Sequence, residues 1–232
     1  MKLVLLTITT FLVGVLATAA PTSAQRIDSP YRFQDHGQQL GLYAGHIAAT
    51  EGVLRIGPQP APTMGARWAM RVTGPLSIGA ELGYTPTTRT VRDTVFIAND
   101  SLYREVGEAN LRLLSLMGNL HFSIVGPRTW HGLQPFGLLG AGAVINLGGR
   151  TAVEDDLPAT VRYDFGTSFA GQFGGGVDWF PSQRVSVRLD ARNVLWRLSV
   201  PEAFVQTEAG NTLARTAWEN NFALTAGLSF HF

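Results

Sequence analysis

The sequence predicts an all-β fold, a closed antiparallel up-and-down transmembrane β-barrel of about eight strands. Three observations carry that expectation. From residue 39 onward, apolar and polar side chains alternate with period two in repeated stretches of about ten residues. The connections between those stretches alternate short and long. The chain is 45% hydrophobic and 15% charged, yet beyond its N-terminal segment no run of 18 or more apolar residues follows, so no later segment can cross a bilayer as a helix. A closed barrel is the other structure that satisfies every backbone group in lipid, because closure removes the sheet edges.

The N-terminal segment reads as an export signal. Met1-Lys2 supplies a positive end, Leu3 to Ala20 an apolar stretch, and Thr22 and Ala24 the small residues of a peptidase site. Residues 1–24 are therefore expected to be removed by cleavage after Ala24. The chain has no cysteine, so neither lipid attachment nor disulfides are expected. Residues 25–38 are polar and contain Pro30; they read as a periplasmic lead-in. Residues 39–232 form the barrel.

The strands follow in order. Near residues 39–47, Leu40, Leu42 and Ala44 share one face, and Gly41, Tyr43 and Gly45 the other. Near 64–72, Ala66, Trp68, Met70 and Val72 alternate with Arg67, Ala69 and Arg71. Near 76–85, Leu76, Ile78, Ala80, Leu82 and Tyr84 alternate with Ser77, Gly79, Glu81 and Gly83. The fourth strand, near 110–124, sets Leu114, Leu116, Leu120 and Phe122 against Ser115, Asn119 and His121. The fifth, near 133–147, sets Leu139, Ala141 and Ile145 against Gly140, Gly142 and Asn146. In the sixth, near 165–180, Phe169, Phe173, Val177 and Trp179 oppose Gln172, Gly174, Gly176 and Asp178. The seventh alternates most sharply, Val185, Val187, Leu189 and Ala191 against Ser186, Arg188, Asp190 and Arg192. The eighth closes the chain with Phe222, Leu224, Ala226, Leu228, Phe230 and Phe232 on one face and Asn221, Thr225, Ser229 and His231 on the other.

The apolar face is assigned to lipid. It carries Trp68, Phe122, Phe169, Phe173, Trp179, Phe222 and Phe230, too much bulk for an eight-stranded interior that is just wide enough for side chains. A soluble ligand-carrying barrel is disfavoured on that ground. The polar face then lines the lumen, where Arg67, Arg71, Glu81, Asp178, Arg188, Asp190 and Arg192 form an expected plug of ion pairs. The inward glycines leave room for it. Counting residues through a turn at Thr73-Gly74-Pro75 pairs Val72 with Leu76 and sets Arg67 opposite Glu81 as an ion pair. The same count through Pro181–Gln183 sets Gly176 opposite Arg188 and Gly174 opposite Asp190.

Connections near 73–75, 125–132 and 181–183 are short, and those near 48–63, 86–109, 148–164 and 195–217 are long. Barrels of this kind have short periplasmic turns and long outer loops, so both termini are expected in the periplasm. Trp68, Trp179, Trp218 and the terminal phenylalanines are expected in the interfacial girdles.

Leu224, Ala226, Leu228, Phe230 and Phe232 look like the C-terminal assembly signal of outer-membrane barrels, an aromatic terminus after alternating apolar positions. Gln134 to Ala143 resembles a mid-barrel strand of that group, as do Gly174 to Phe180 and Val185 to Arg192. Together they resemble the outer-membrane protein β-barrel domain, the fold of small eight-stranded porin-like proteins. The resemblance implies location in the outer membrane. It also implies outer-membrane lipid as surroundings, and periplasmic chaperones and the barrel-assembly machinery as transient partners.

Little chemistry is legible. Lys2 is the only lysine, so residues 25–232 carry 17 arginines and 17 acids and no basic patch for nucleic acid. The five histidines lack metal-ligand spacing, with His121 and His231 inward near the periplasmic end. Gly174-Gly175-Gly176 lacks the rest of a phosphate loop, and there is no G-x-S-x-G elbow. Glu154-Asp155-Asp156 reads as a solvated acidic turn. No cofactor, no metal and no catalytic activity are expected, and a monomer is. The leading reading is a structural or surface-interaction barrel acting through its long loops. A narrow channel for small solutes is the alternative, and a lipid A-modifying enzyme a third.

Overall fold

A computed structural model describes residues 29–232, apart from 53–54, 98–99, 150, 159–161, 164 and 200–215. The expected export signal and its cleavage site at Ala24 lie outside the described residues. Residues Tyr31–Phe232 form one compact unit.

Its strands are β1 (Tyr31–Phe33), β2 (Gln38–Ala48), β3 (Ala61–Thr73), β4 (Leu76–Ile97), β5 (Asp100–Ser123), β6 (Arg128–Trp130), β7 (Leu133–Asn146), β8 (Thr167–Trp179), β9 (Val185–Ser199) and β10 (Thr216–His231). A single helical turn, α1 (Ala152–Asp155), sits between β7 and β8. Eight of the strands close a circle: β2, β3, β4, β5, β7, β8, β9 and β10 each pair antiparallel with the next, and β10 returns to β2. The expected fold class is what the chain adopts. β2, with 11 residues, is about 36 Å long at the usual strand rise, and at a typical barrel tilt it spans about 28 Å, close to a bilayer's hydrocarbon thickness.

The period-two pattern produces the two faces. Leu42, Phe122, Leu139, Leu189 and Leu228 stand exposed on the outside, Leu42 at 71%. Arg67, Glu81, Asp178, Arg188, Asp190 and Arg192 are buried inside. At the turn end, Trp179 is exposed and Phe230 stacks on Phe232 with ring centroids 6.4 Å apart. At the loop end, Trp218 meets Phe169 edge-on at 6.1 Å.

Three expectations need correction. The β3–β4 turn contains only Gly74 and Pro75: Thr73, not Val72, pairs with Leu76, and the register shifts between Arg71 and Thr73. That bulge absorbs one residue, so Arg67 still lies opposite Glu81. The β8–β9 ladder starts two residues later on β9 than counted, because Val185 and Ser186 pair only with β10: Trp179 pairs with Val187, Gly176 with Asp190, Gly174 with Arg192 and Asp178 with Arg188. Finally, residues 86–109 are not an irregular loop. β4 and β5 run on as a hairpin of 22 and 24 residues, paired as far as Ile97–Asp100.

The described part of the lead-in packs on the barrel. β1 pairs with β6, and β6 turns into β7 through His131 (φ 50) and Gly132 (φ 80), the positive-φ pair that suits a two-residue hairpin. Residues 34–37 then lie over the turn end of the lumen. The Gln34 amide donates to the Pro127 carbonyl at 2.9 Å and the Arg71 amide to the Gly37 carbonyl at 2.7 Å.

Candidate functional site

The lumen gathers buried polar and charged side chains, and it is layered. At the turn end, the Arg188 guanidinium grips the Asp178 carboxylate with two bonds of 2.7 Å while stacking over the Phe136 ring at 4.4 Å. Beside it, Ser186 and His231 share a hydrogen bond of 2.8 Å, and the Phe180 ring lies 4.9 Å from the imidazole. His36, His121 and Arg71 line the same small polar cavity. Among the described residues no group of three or more metal-ligating side chains could hold a metal ion.

The middle layer is a cross-lumen network. Arg192 donates to both Glu81 oxygens at 2.7 and 2.9 Å, to Asp190 at 2.8 Å and to the Gln172 carbonyl at 3.1 Å. Arg67 reaches Asp190 at 3.0 Å, and the Thr225 hydroxyl donates to Asp190 at 2.8 Å. Gln172 extends the web to Asn119 at 2.6 Å. The Tyr43 ring supports both cations, 4.5 Å from the Arg67 guanidinium and 5.6 Å from that of Arg192. Three arginines thus meet three carboxylates in a charge-balanced plug, all four ion pairs at 7% side-chain exposure or less.

Glycines make the plug possible. A Cβ on Gly174 would fall 2.6 Å from the Arg192 Cα, and one on Gly65 would fall 2.7 Å from the Tyr43 ring. A larger residue at either position would occupy the space of the network.

Six of the seven lumen residues read from the sequence meet in these two layers, with partners other than the register suggested. Arg67 faces Glu81 across the ladder, yet it bonds Asp190, and Glu81 bonds Arg192. The reason is geometric: β9 lies across the lumen from β3 and β4, so the long side chains of Arg67 and Glu81 reach β9 rather than each other, whereas Asp178 and Arg188, opposed on neighbouring strands, do bond. Arg71 does not join. Its guanidinium donates to the Gln34 carbonyl at 2.8 Å and ties down the lead-in.

The loop-side layer escaped the sequence reading. Leu111, Leu113, Val144, Trp196 and Leu198 point inward and pack with Ile56, Tyr163 and Phe165 from the loops. The Phe165 and Trp196 rings meet edge-on at 6.1 Å. The signal was present: carrying the parity of Arg188, Asp190 and Arg192 past residue 192 sends Trp196 and Leu198 inward. Between this apolar cap and the Arg192 layer lies a small cavity bounded by Glu81, Gln172, Trp196 and Thr225.

Above the rim, the β4–β5 hairpin and the β7–β8 connection pack together. The Arg89 guanidinium is buried against the Glu154 carboxylate and over the Tyr163 ring at 4.8 Å. Glu154 also accepts from the Thr151 amide at 2.8 Å and its hydroxyl at 2.6 Å. Burial raises its carboxyl's pKa, but the two Thr151 bonds and the Arg89 charge outweigh that and hold it below the usual range. Glu154 is therefore not part of a solvated acidic turn, although Asp155 and Asp156 are exposed. Val91, Ala109 and Leu157 form a second small core beneath, with Val153 against it.

This architecture is that of the small eight-stranded outer-membrane β-barrels. Among solved structures, Neisserial surface protein A is similar over 84% of this chain and 97% of its own, at 15% identity and a TM-score of 0.50. The outer membrane protein OprG from Pseudomonas aeruginosa matches 87% of this chain over 99% of its own, at 14% identity and a TM-score of 0.49. The N-terminal β-barrel domain of OprF from the same organism matches 85% over 98%, at 11% identity and 0.45. No family model and no curated protein matches the sequence. Likeness at such identities is a likeness of fold, and a fold of this kind hosts unrelated activities.

Proposed function

We propose that this protein is a monomeric outer-membrane barrel closed to solutes, with its short turns in the periplasm, and that it acts through the ordered loops at its other end. The observation that carries this reading is the double closure of the lumen. A charge-balanced ion-pair layer fills its middle, and an apolar cap seals it toward the loops. An ion crossing it would have to break pairs buried at 7% exposure or less and then pass through hydrocarbon, where an unpaired charge is strongly disfavoured.

Two further features favour surface interaction over transport. The hairpin of β4 and β5 outruns its neighbours, and the buried Arg89–Glu154 pair and the Val91–Ala109–Leu157 core join it to the adjoining loops. Chain ordered at that cost in entropy suits a surface that is presented rather than a passive linker. A catalytic role is disfavoured by placement: the Ser186–His231 hydrogen bond lies at the turn end, and Ser186 is fully buried. Leu224, Ala226, Leu228, Phe230 and Phe232 would be read by the assembly machinery during insertion.

The test is planar-bilayer recording of the purified protein, together with labelling of single cysteines placed in loop 49–60 on intact cells. The expected result is no steady single-channel current and labelling from outside. Reproducible unitary conductance would overturn the closed-barrel reading.

A further inference from the structure

The ladder between β3 and β4 stops at Met64–Tyr84, although β3 runs on to Ala61. Continuing the same register by two residues sets Pro62 opposite Pro86, and neither has an N–H to donate. The strands stay joined on the lumen side by hydroxyls: Thr85 donates to the Thr63 hydroxyl at 2.8 Å and Thr87 to the Gln59 carbonyl at 2.7 Å. On the outer side the sheet opens into a cleft of about 480 Å³, walled by Pro60, Pro62 and Pro86, with Thr88, Asn110 and Arg112 along its far side.

The cleft lies where the apolar belt ends. Leu116, Leu120 and Phe122 on the same outward face of β5 are exposed, as is Leu82 on β4, whereas Arg112 and Asn110 continue that face toward the loops. Arg112 is exposed and takes part in none of the ion pairs among the described residues. Glu105 is engaged by Arg92 at 2.8 Å. Glu108, the nearest carboxylate along the same face of β5, is four residues farther out, about 13 Å at the usual strand rise. An unpaired guanidinium beside a cleft with proline walls and polar groups on its far side, at the level where hydrocarbon gives way to headgroups, is a matched receptor for a phosphate that carries acyl chains. Arginine binds phosphate through two parallel N–H bonds, and the proline walls offer no competing donors.

We propose that this cleft docks one phosphate-bearing lipid of the outer leaflet, Arg112 binding the phosphate, Asn110 assisting, and the proline walls receiving the start of an acyl chain. The assignment rests on the outward orientation of the loops proposed above.

The full-length protein in non-ionic detergent is titrated with diphosphoryl lipid A, and bound lipid is counted by native mass spectrometry. Phosphatidylcholine and inorganic phosphate serve as separate arms. One tightly held lipid A is expected, with R112Q weakening it about tenfold, the loss typical of a charge-assisted bidentate contact. R112K, which keeps the charge but not the fork, should fall between. R197Q removes another exposed arginine, bonded to Thr216, and should leave binding unchanged. Equal binding by R112Q and wild type would overturn the proposal, as would equal loss in R197Q, equal affinity for phosphatidylcholine, or inorganic phosphate held as tightly as the lipid. Loop labelling on intact cells separates the two readings. Unchanged R112Q binding with external labelling removes the cleft and leaves the outer-membrane reading; labelling only from the periplasmic side removes both.

Discussion

Arg192 is the hub on which the plug can be tested. Its guanidinium bonds both Glu81 oxygens, Asp190 and Gln172, at 4% side-chain exposure. Replacing it with methionine keeps much of its length and removes its charge. The balanced set of Arg67, Arg188 and Arg192 against Glu81, Asp178 and Asp190 is then left with one uncompensated negative charge inside the barrel. Breaking a buried pair in this way costs about 3–5 kcal/mol. The double change R192M/E81Q restores the balance, so its cost should fall short of the sum of the two single changes by about 2 kcal/mol. In the Arg92–Glu105 pair the carboxylate is solvated, at 65% side-chain exposure, and E105Q should cost less than about 1 kcal/mol. Urea unfolding in phospholipid vesicles, followed by tryptophan fluorescence, measures all four variants. The network argument fails if R192M loses less than about 1 kcal/mol or if the cycle is additive.

The loop platform should soften in acid. Because the folded pKa of Glu154 is depressed, its contribution is fully present above the unfolded value of about 4.3 and is lost as pH falls through the folded one. Hydrogen-exchange protection of amides 86–92 and 151–157, taken relative to the intrinsic rate at each pH, should therefore be high at neutral pH and fall below about pH 4. E154Q should be weakly protected at both; a wild type whose protection does not change with pH would refute the assignment. Glycine positions offer a sharper steric test. A Cβ at Gly65 would lie 2.1 Å from the Leu82 carbonyl oxygen, whereas one at Gly118 meets nothing nearer than 3.7 Å. G65A should lower stability by about 1–3 kcal/mol and G118A should be close to neutral; equal urea midpoints would refute the packing argument.

Legibility stopped where geometry ceased to be local. The parity of Val185 to Arg192 located both faces of β9 correctly, because side-chain direction in a strand depends only on the residue's own position in the pleat. Turn lengths were less accessible. The β8–β9 register lies two residues from the counted one, while the bulge beside Gly74 changes only the last β3–β4 pair, and nothing in their composition marks which residue leaves the ladder. Residues 86–109 looked like loop because their alternation is polar on both faces. The hairpin is held there by partners distant in sequence, among them Gln59 and Glu154.

Patterning alone determined that the chain closes into a transmembrane barrel and which charged side chains fill the middle of its lumen, since period two and the need to satisfy every backbone group in lipid leave few other arrangements. Only the closed structure decided that Arg67 meets Asp190 rather than Glu81, that Arg71 serves the lead-in, and that the loop-side lumen is capped by Trp196 and Phe165. Each depends on which side chains converge across a cylinder's axis, and that distance exists only once the first and last barrel strands have joined.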